Sequence, residues 1–310
     1  MKKTSATAFA PATVANVAVG FDILGFAVEG VGDSVTVERT ETGKDSREVI
    51  VNGSPGFPLD PEKNTATAGL LQLIRDRDLT HGFRVFIKKG IPLSSGMGGS
   101  AASAVAGILA ANELLDKKLS SNELLRYALV GEAVASGAVH ADNVAPCLLG
   151  GLVLIKSAEP PDIISIPSPD LLCVLVHPDL QVSTREARGI LKPELSLKTH
   201  VRQTSHLAGF VAACFNGDQK LLARSFEDLV IEPQRAGLIR GFHSVKAVAL
   251  SAGAIGCSIS GSGPSVFAWA KKETAESVAK AMVRAFNDSG IAKVESWISP
   301  MPSKGAVIVG

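Results

Sequence analysis

The sequence predicts an α+β fold in which helices cover one face of an antiparallel sheet. Two observations indicate this. The first third of the chain carries short runs of β-branched and apolar residues separated by Gly, Asp and Pro, which is typical of strands. From Ser100 onward, apolar residues recur at helical spacing, and strand patterns return in the second half. A chain of 310 residues with 46% hydrophobic residues is long enough to bury the cores of two domains.

The predicted elements form a strand-rich block, a helical block and a mixed block. The strand-rich block consists of strands at 5–9, 33–38 and 48–51, a helix at 64–77 and a strand at 83–88. The helical block consists of helices at 100–115 and 121–136, with Ser120 and Glu123 at capping-box spacing before the second. The mixed block has strands at 152–156, 171–176 and 293–298, two strands around a turn at 258–267, and helices at 201–215, 219–228, 241–252 and 274–287.

Prolines cluster between the helical and mixed blocks. Glu159-Pro160-Pro161 and Ile166-Pro167-Ser168-Pro169 interrupt the periodic patterns, so a domain boundary is predicted there. It divides the chain into an N-terminal domain at 1–165 and a C-terminal domain at 166–310.

Charge and cysteine content bear on partners and location. The formal net charge is +1 with dispersed charges, so the basic surface of a nucleic-acid-binding protein is not expected. The sequence has no run of about 20 apolar residues that would span a membrane. Four well-separated cysteines in apolar surroundings are typical of buried thiols in a reducing compartment. The start of the chain is too short and too polar for a secretion signal, so a cytoplasmic protein is expected.

A glycine-rich segment precedes the first helix of the helical block. In Pro92-Leu-Ser-Ser-Gly96-Met-Gly98-Gly99-Ser100, three glycines and several hydroxyls lead into that helix. The first N–H groups of a helix have no partner inside it and attract an anion. Glycines let a backbone close around phosphate oxygens, so the segment indicates a phosphate-binding loop.

Three other interpretations of this segment differ in how well they fit. A Walker-type loop is excluded because no lysine follows the glycines. A Rossmann-type loop fits Gly96, Gly98 and Ala101, but the acidic residue that should end a second strand is Glu113, which lies in a predicted helix. A tight turn that only packs a helix against a sheet stays open for a glycine cluster considered alone.

Two further segments make the glycine cluster part of a larger pattern. A second Gly/Ser turn runs from Ser258 to Ser265, and an apolar segment interrupted by polar residues runs from Ala10 to Asp22. In this order and at these separations, the three segments resemble the GHMP superfamily of small-molecule kinases over essentially the whole chain. The motif Pro-Ala-Thr-x-Ala-Asn-x-x-x-Gly-Phe-Asp that ends at Asp22, together with residues 139–146, resembles the homoserine-phosphorylating branch of that superfamily.

The resemblance implies a two-domain α+β fold. An N-terminal, ribosomal-protein-like βαβ domain would bind ATP, a ferredoxin-like domain would follow, and the active site would lie in the cleft between them. The implied reaction transfers the γ-phosphoryl group of ATP to the side-chain hydroxyl of L-homoserine, a step of threonine biosynthesis, with Mg²⁺ as second cofactor. The family tends towards dimers, so a homodimer is expected, without a nucleic-acid or membrane partner.

The ATP residues implied by the resemblance come from three places. Asn64 matches a nucleoside-contacting position, and two segments would surround the phosphates. These segments are the loop Ile91, Pro92, Leu93, Ser94, Ser95, Gly96, Met97, Gly98, Gly99, Ser100 and Ala101, and the turn Ser260, Gly261, Ser262 and Gly263. The loop departs from the family in one respect, because Gly99 replaces a serine that family members commonly carry. Ser100 and Glu132 match the family's magnesium-binding serine and carboxylate, and oxygen ligands suit this ion.

The resemblance also implies residues that bind the amino acid. Arg188 and Arg235 match carboxylate-binding arginines, a role that suits a planar guanidinium because it forms paired hydrogen bonds. Asn16 and Asp22 match the positions that hold the amine end, and Thr184 belongs to the same substrate set.

Three neighbouring residues, expected to lie in a turn from His140 to Asn143, are implied for the chemical step. His140 and Asn143 would position the attacking hydroxyl, Asn143 also contacting the substrate, and Asp142 is the candidate general base. Phosphoryl transfer asks little of a base, so positioning and charge neutralisation would carry most of the catalysis.

Two other functions stay open at this point. A sugar kinase of the same superfamily would leave Arg188 and Arg235 without a carboxylate, and a mevalonate-type kinase would have no use for an amine site at Asp22. A catalytically silent sensor of nucleotide or amino acid is disfavoured because Ser100 and Glu132 are retained.

Overall fold

The first sheet is built on two long antiparallel strands. The parts of the chain that the computed structural model describes are residues 3–41, 48–52, 58–136 and 140–309. Strand β1 (Ser5–Ala15) pairs with β2 (Leu24–Arg39), and the register shifts between Pro11 and Ala12. Buried and more exposed side chains alternate at the start of β1 and in the later part of β2, as expected when one face of a sheet is covered, whereas the end of β1 and the start of β2 are buried on both faces.

Five shorter strands complete this sheet within the described residues. They are β3 (Val49–Asn52), β4 (Phe83–Lys88), β5 (Leu152–Ala158), β6 (Pro161–Ile166) and β11 (Val307–Ile308). The order is β11-β1-β2-β4-β3, while β5 pairs with the start of β2 and with β6. The β3–β4 pair is parallel, and the chain returns to the first sheet at its end because β11 pairs with β1.

Helices cover one face of the first sheet. They are α1 (Thr65–Asp76), α2 (Gly99–Glu113), α3 (Ser121–Ser136) and α4 (Ala141–Leu149). Helices α2 and α4 contact β1 and β2, and α1 and α3 pack on α2. A Cβ at Gly107 of α2 would overlap the carbonyl oxygen of Ala66, and one at Gly69 of α1 would overlap that of Tyr127. Glycine therefore lets these helices approach backbone to backbone.

The second sheet has its own helical layer. Its strands are β7 (Leu172–Pro178), β8 (Ala254–Ile259), β9 (Val266–Ala270) and β10 (Val294–Pro300), in the antiparallel order β10-β7-β9-β8. Two helices, α9 (Phe242–Ser251) and α10 (Ala275–Asp288), enclose an apolar core with one face of this sheet. Between β7 and α9 lie α5 (Thr184–Gly189), α6 (Leu197–Asn216), α7 (Gln219–Ser225) and α8 (Glu232–Arg235).

An aromatic cluster joins the two sheets. The ring centroid of Trp269 in β9 lies 5.5 Å from that of Phe26 in β2, 5.4 Å from that of Phe210 in α6 and 5.3 Å from that of Phe226. Phe26 also contacts Phe267 at 5.6 Å. All five rings are at least 95% buried, so loops at the ends of both sheets are held in a fixed relation.

The predicted α+β class with helices on one face of an antiparallel sheet agrees with this architecture. The capping box is confirmed: the Ser120 N–H donates to Glu123 at 2.8 Å and the Glu123 N–H donates back at 3.4 Å. The proline-rich boundary region contains a strand, β6, which starts at Pro161 on the edge of the first sheet, where a missing N–H is tolerated. Strand β6 ends at Ile166 and β7 begins at Leu172. The division of the chain into two domains at residue 165 stays a prediction.

The prediction that His140 to Asn143 form a turn was wrong. His140 is the N-cap of α4, and Asp142 and Asn143 lie in its first turn. Pro146 inside this helix removes the N–H that would bond to the Asp142 carbonyl. Gly25 of β2 makes room for that carbonyl, because a Cβ there would overlap it. None of the helices in the described parts of the chain is long and apolar enough to cross a membrane.

We expect Gly107→Ala to reduce the free energy of unfolding by about 1–3 kcal/mol, because the new Cβ forces α1 away from α2. Urea denaturation measures this change. The matched control is Gly189→Ala in α5, where a Cβ meets nothing within 4 Å and helix propensity alone predicts no loss. Equal stability of the two variants would contradict the close helix contact.

Candidate active site

One cavity collects most of the predicted site residues. Its volume is about 680 Å³, and its walls come from both sheets. The predicted residues that line it are Asn16, Asp22, Asn64, Pro92, Leu93, Ser94, Ser95, Gly96, Met97, Gly98, Gly99, Ser100, Glu132, His140, Asp142, Asn143, Thr184, Arg188, Arg235, Gly261 and Ser262. Four others, Ile91, Ala101, Ser260 and Gly263, are not part of the cavity wall.

The glycine-rich loop connects β4 to α2 in the way the sequence indicates. Gly98 is the N-cap of α2 with φ of 67°, and Gly96 has φ of 74°, both in the left-handed region that favours glycine. A Cβ at Gly98 would overlap the Thr13 hydroxyl and lie 2.8 Å from Asn143 Oδ1. Glycine at position 98 therefore lets the loop pack directly against Thr13 and Asn143, and the start of α2, from Gly99 to Ser100, lines the cavity.

A buried carboxylate lies beneath the loop. Asp33 of β2 is fully buried, and its Oδ1 accepts the N–H groups of Gly90 and Ile91 at 3.0 and 3.1 Å. Its Oδ2 accepts the Ser103 hydroxyl at 2.8 Å and pairs with the Lys89 ammonium. Lys89 Nζ also donates to the Gly99 carbonyl at 2.7 Å. Asp33 and Lys89 thus fix both ends of the loop, its entry from β4 and its exit into α2.

The second Gly/Ser turn holds the loop from the other side. The Ser260 hydroxyl donates to the Gly96 carbonyl at 2.7 Å, and the Ser265 N–H donates to the Ser95 carbonyl at 3.1 Å. A Cβ at Gly96 would lie 2.5 Å from the Ser260 carbonyl oxygen and 2.6 Å from that of Gly263. Ser260 and Gly263 therefore support the loop from behind the cavity wall.

The segment between β1 and β2 contains an uncommon backbone conformation. Asn16, Val17 and Ala18 have φ of 69°, 43° and 60°, and Asp22 has φ of 62°. Left-handed backbone costs free energy in non-glycine residues, most of all in a β-branched one, and such strain is concentrated at functional sites. The Asn16 side chain stabilises the segment, since Oδ1 accepts the Asp22 N–H at 3.0 Å and Nδ2 donates to the Gly261 carbonyl at 2.9 Å.

Two of the predicted substrate residues pair with each other. Arg188 Nη1 donates to Asp22 Oδ2 at 3.0 Å, and Nη2 donates to Oδ1 at 2.8 Å. This bidentate geometry is the one in which a guanidinium binds a carboxylate most strongly. Both side chains are about 40% exposed to the cavity, so the pair is accessible to a ligand.

Arg235 is held more rigidly than Arg188. It is only 3% exposed, its Nε donates to the Ala187 carbonyl at 3.1 Å, and its Nη1 donates to the Gly261 carbonyl at 3.0 Å. Burial, followed by repulsion from Arg188, lowers the pKa of Arg235 from its usual value. The cavity thus contains a fixed, partly uncompensated cation beside a paired one.

Three acidic and basic groups meet at the start of α4. His140 Nδ1 lies 3.4 Å from Glu132 Oε1 of α3, and that hydrogen bond is the main cause that raises the pKa of His140. His140 Nε2 lies 3.3 Å from Arg188 Nη2, so a neutral ring with its proton on Nδ1 satisfies both neighbours.

Asp142 is the most perturbed carboxyl group of the site. It is 2% exposed, and its Oδ1 has no hydrogen-bond partner among the described residues. Burial, with repulsion from Asp22 as the next cause, raises the pKa of Asp142 to about 7. A carboxyl group of this kind exchanges a proton near neutral pH, as a general base requires.

The side chains of several predicted site residues form hydrogen bonds within the protein. Asn64 is the N-cap of α1, accepting the Ala66 N–H and donating to the Pro58 carbonyl. Asn143 Oδ1 accepts the Thr13 hydroxyl at 2.7 Å, and Asn143 also lines the cavity. Thr184 Oγ1 lies 3.3 Å from Ser262 Oγ across the cavity wall.

Among the residues at or against the site that sequence reasoning missed are Thr13, Phe21, Asp33 and Lys89. Thr13 and Phe21 stand inside the motif that ends at Asp22, and Lys89 directly precedes the loop, so proximity in sequence was an available signal. Asp33 had none, because a single aspartate within a strand pattern carries no mark of its partners.

An Mg²⁺ ion would find oxygen ligands at this cavity. The Ser100 hydroxyl at the start of α2 and the Glu132 carboxylate of α3, which is 4% exposed, both line it. The described residues contain no group of three or more His, Cys, Asp or Glu side chains suited to a metal ion. Two oxygen ligands fit Mg²⁺, which retains waters and phosphate oxygens in its shell, better than an ion that needs a complete protein cage.

Comparisons with known proteins identify similar chains. The GHMP kinases N terminal domain family matches residues 64–151, and the GHMP kinases C terminal family matches residues 210–288. The homoserine kinase of Xylella fastidiosa (strain M12) is 49% identical over 303 residues, covering 97% of this chain and 93% of that protein. The homoserine kinase of Chlorobium phaeovibrioides (strain DSM 265 / 1930) is 45% identical over 318 residues, covering 98% and 99%.

A solved structure agrees over the same length. The crystal structure of homoserine kinase from Cytophaga hutchinsonii superposes with a TM-score of 0.94 at 41% identity, covering 100% of this chain and 98% of that one. Both sheets, the loop and the second Gly/Ser turn therefore lie within the matched region.

We expect Asp142→Asn to flatten the pH dependence of stability. Because the pKa of Asp142 rises from 3.8 to about 7 on folding, the folded protein keeps a proton that the unfolded chain loses between those values. Stability of the wild type therefore falls as pH rises from 4 to 7. In the variant, this decrease in the free energy of unfolding should be smaller by an amount on the order of a few kcal/mol. Denaturation at pH 5 and pH 8 measures it, with exposed Asp288→Asn as control; equal slopes would contradict the buried carboxyl assignment.

Proposed function

The chain belongs to the GHMP kinase family and to its homoserine kinase branch, and on this premise we propose how its cavity phosphorylates the side-chain hydroxyl of L-homoserine with ATP. The observation that carries the proposal is that the phosphate-binding loop and both arginines line one cavity. A phosphate donor and a carboxylate-bearing acceptor thereby fit into the same space.

ATP is the nucleotide of this family, and we assign its phosphates to the loop at the start of α2. The N–H groups of the first helical turn and the positive end of the helix dipole stabilise the phosphate charge. Gly96 and Gly98 let the backbone approach the phosphate oxygens, and the Ser260 turn presses on the loop from the opposite side. The Asn64 side chain caps α1, so Asn64 would contribute to the nucleoside site by forming part of the cavity wall.

The substrate half of the cavity suits a zwitterion. Arg188 and Asp22 already form a carboxylate–guanidinium pair, so an amino acid that brings one carboxylate and one ammonium group gives each of them a new partner of the right sign. Arg235 supplies the second cation to the substrate carboxylate. Thr184 and Asn16 complete the wall, Asn16 by fixing the position of Asp22.

The chemical step is an in-line transfer between the two halves. The substrate hydroxyl oxygen forms a bond to the γ-phosphorus, and the bond from that phosphorus to the bridging oxygen of ADP breaks. The hydroxyl proton passes to a base, and we propose Asp142, because its pKa lies near 7 and its Oδ1 is unoccupied by a protein donor among the described residues. His140 and the NH₂ group of Asn143 position the hydroxyl.

We propose Mg²⁺ as the metal cofactor, held by Ser100 and Glu132. The ion supplies charge neutralisation for the phosphates when bound. Glu132 is kept in place by His140, whose other ring nitrogen contacts Arg188, so the metal side and the substrate side share one hydrogen-bonded chain.

We also propose a cytoplasmic location and a homodimeric assembly. Four free cysteines are buried, which supports a reducing, cytoplasmic environment. The family tendency towards dimers supports a homodimer, which sedimentation equilibrium would test.

The function is tested by ADP release with ATP, Mg²⁺ and a panel of homoserine, serine, threonine, mevalonate and galactose. We expect release with homoserine at least 100-fold faster than with the others, and none after Mg²⁺ is removed. A wild type that acts only on mevalonate or galactose would reassign the substrate, and one that acts on none of them would indicate a sensor of nucleotide or amino acid.

We expect Arg235→Leu to raise KM for homoserine by about 10- to 100-fold and to leave KM for ATP within twofold, because a charged hydrogen bond to the carboxylate is lost. Steady-state kinetics with each substrate varied in turn measures the split. The control is Arg284→Leu, which removes an arginine that is 85% exposed on α10. An equal rise of both KM values would remove Arg235 from the substrate site.

A further inference from the structure

Phe21 stands at a position that the reaction scheme above leaves without a role. It precedes Asp22 in the turn between β1 and β2, and its ring is half-buried. The guanidinium carbon of Arg188 lies 5.3 Å from the ring centroid, and that of Arg235 lies 5.2 Å from it. Both cations of the substrate half therefore contact one phenyl ring.

Among the described hydrogen bonds, none joins both arginines to one carboxylate, although the charge of Asp22 acts on both of them. Arg188 pairs with Asp22, whereas the described bonds of Arg235 run to the carbonyls of Ala187 and Gly261. The two guanidinium charges repel each other, and burial of Arg235 strengthens this repulsion. An aromatic face attracts a guanidinium through its quadrupole and also excludes water, so the ring offsets part of the repulsion between them.

We propose that Phe21 is a positioning residue for substrate recognition: its ring holds Arg188 and Arg235 at the separation at which both reach one carboxylate. This inference rests on the proposed function, since it concerns recognition of the amino-acid carboxylate. The ring touches neither the phosphates nor the reacting hydroxyl in this scheme. Its effect is therefore confined to ligands that carry a carboxylate.

A purely structural role for Phe21 predicts something different. A half-buried ring that only fills space would, when replaced, weaken all substrates together or lower stability without changing selectivity. The distinguishing quantity is the ratio of kcat/KM for homoserine to kcat/KM for 3-aminopropan-1-ol. This amine has the hydroxyl and ammonium groups of homoserine without the carboxylate.

The test compares Phe21→Leu, Phe21→Met and Phe21→Tyr. We expect Leu and Met to raise KM for homoserine about fivefold to tenfold, because two cation–π contacts are lost, with KM for ATP within twofold. The selectivity ratio should fall by the same factor. Tyr keeps the aromatic face and should restore both values to within twofold of wild type. Phe86→Leu, which removes a 38% exposed ring from strand β4 on the uncovered face of the first sheet, is the matched control.

Each outcome decides the matter. Thermal unfolding of each variant identifies the variants that are folded. If Phe21→Leu does not fold, the comparison of Phe21→Met with Phe21→Tyr still provides the test. If both substrates lose activity equally, or if Tyr behaves like Leu, Phe21 is structural and the inference is overturned. An active wild type with an unaffected Phe21→Leu overturns the inference alone, whereas a wild type inactive on homoserine overturns the proposed function and the inference with it.

Discussion

The buried carboxylate of Asp33 is the constraint on which the conformation of the glycine-rich loop depends. An uncompensated charge in that position would be costly, and every one of its described partners belongs to the loop or its borders: two N–H groups, the Ser103 hydroxyl and the Lys89 ammonium. The loop can satisfy Asp33 only if it leaves β4 and enters α2 in one way. The direction of α2 towards the cavity is therefore set from inside the first sheet.

The Gly/Ser turn of the second sheet also fixes the position of several parts of the cavity. The Gly261 carbonyl accepts hydrogen bonds from both Asn16 and Arg235, and its neighbour Ser260 bonds to Gly96. One turn thus contacts the glycine-rich loop, the left-handed segment after β1 and the buried arginine. The aromatic cluster around Trp269 joins the two sheets that carry these parts, so packing between the sheets holds the walls of the cavity in place.

Many of the helices, strands and loops could be predicted from the sequence, because hydrophobic periodicity and the positions of glycines indicate local structure. The loop, the second turn and most helices were predicted, but α4 was predicted as a turn, since Pro146 masks a helix whose freed carbonyl is accommodated only by Gly25 on another strand. The left-handed backbone at Asn16 to Ala18 also escaped prediction, because non-glycine residues adopt it only when distant contacts demand it. The partners of Asp33 likewise depend on tertiary packing, which no local pattern encodes.

The pairing of Arg188 with Asp22 supports the proposal that the cavity favours a zwitterion over a simple anion or cation. A net-neutral amino acid divides the existing pair and gives each member a new partner, so the sum of charges in the cavity stays the same. A carboxylate without an amine would draw Arg188 away from Asp22, whose charge already repels the buried carboxyl group of Asp142. Repulsion between these two carboxylates then opposes binding, and this penalty selects against mevalonate-type acids without any contact made to them.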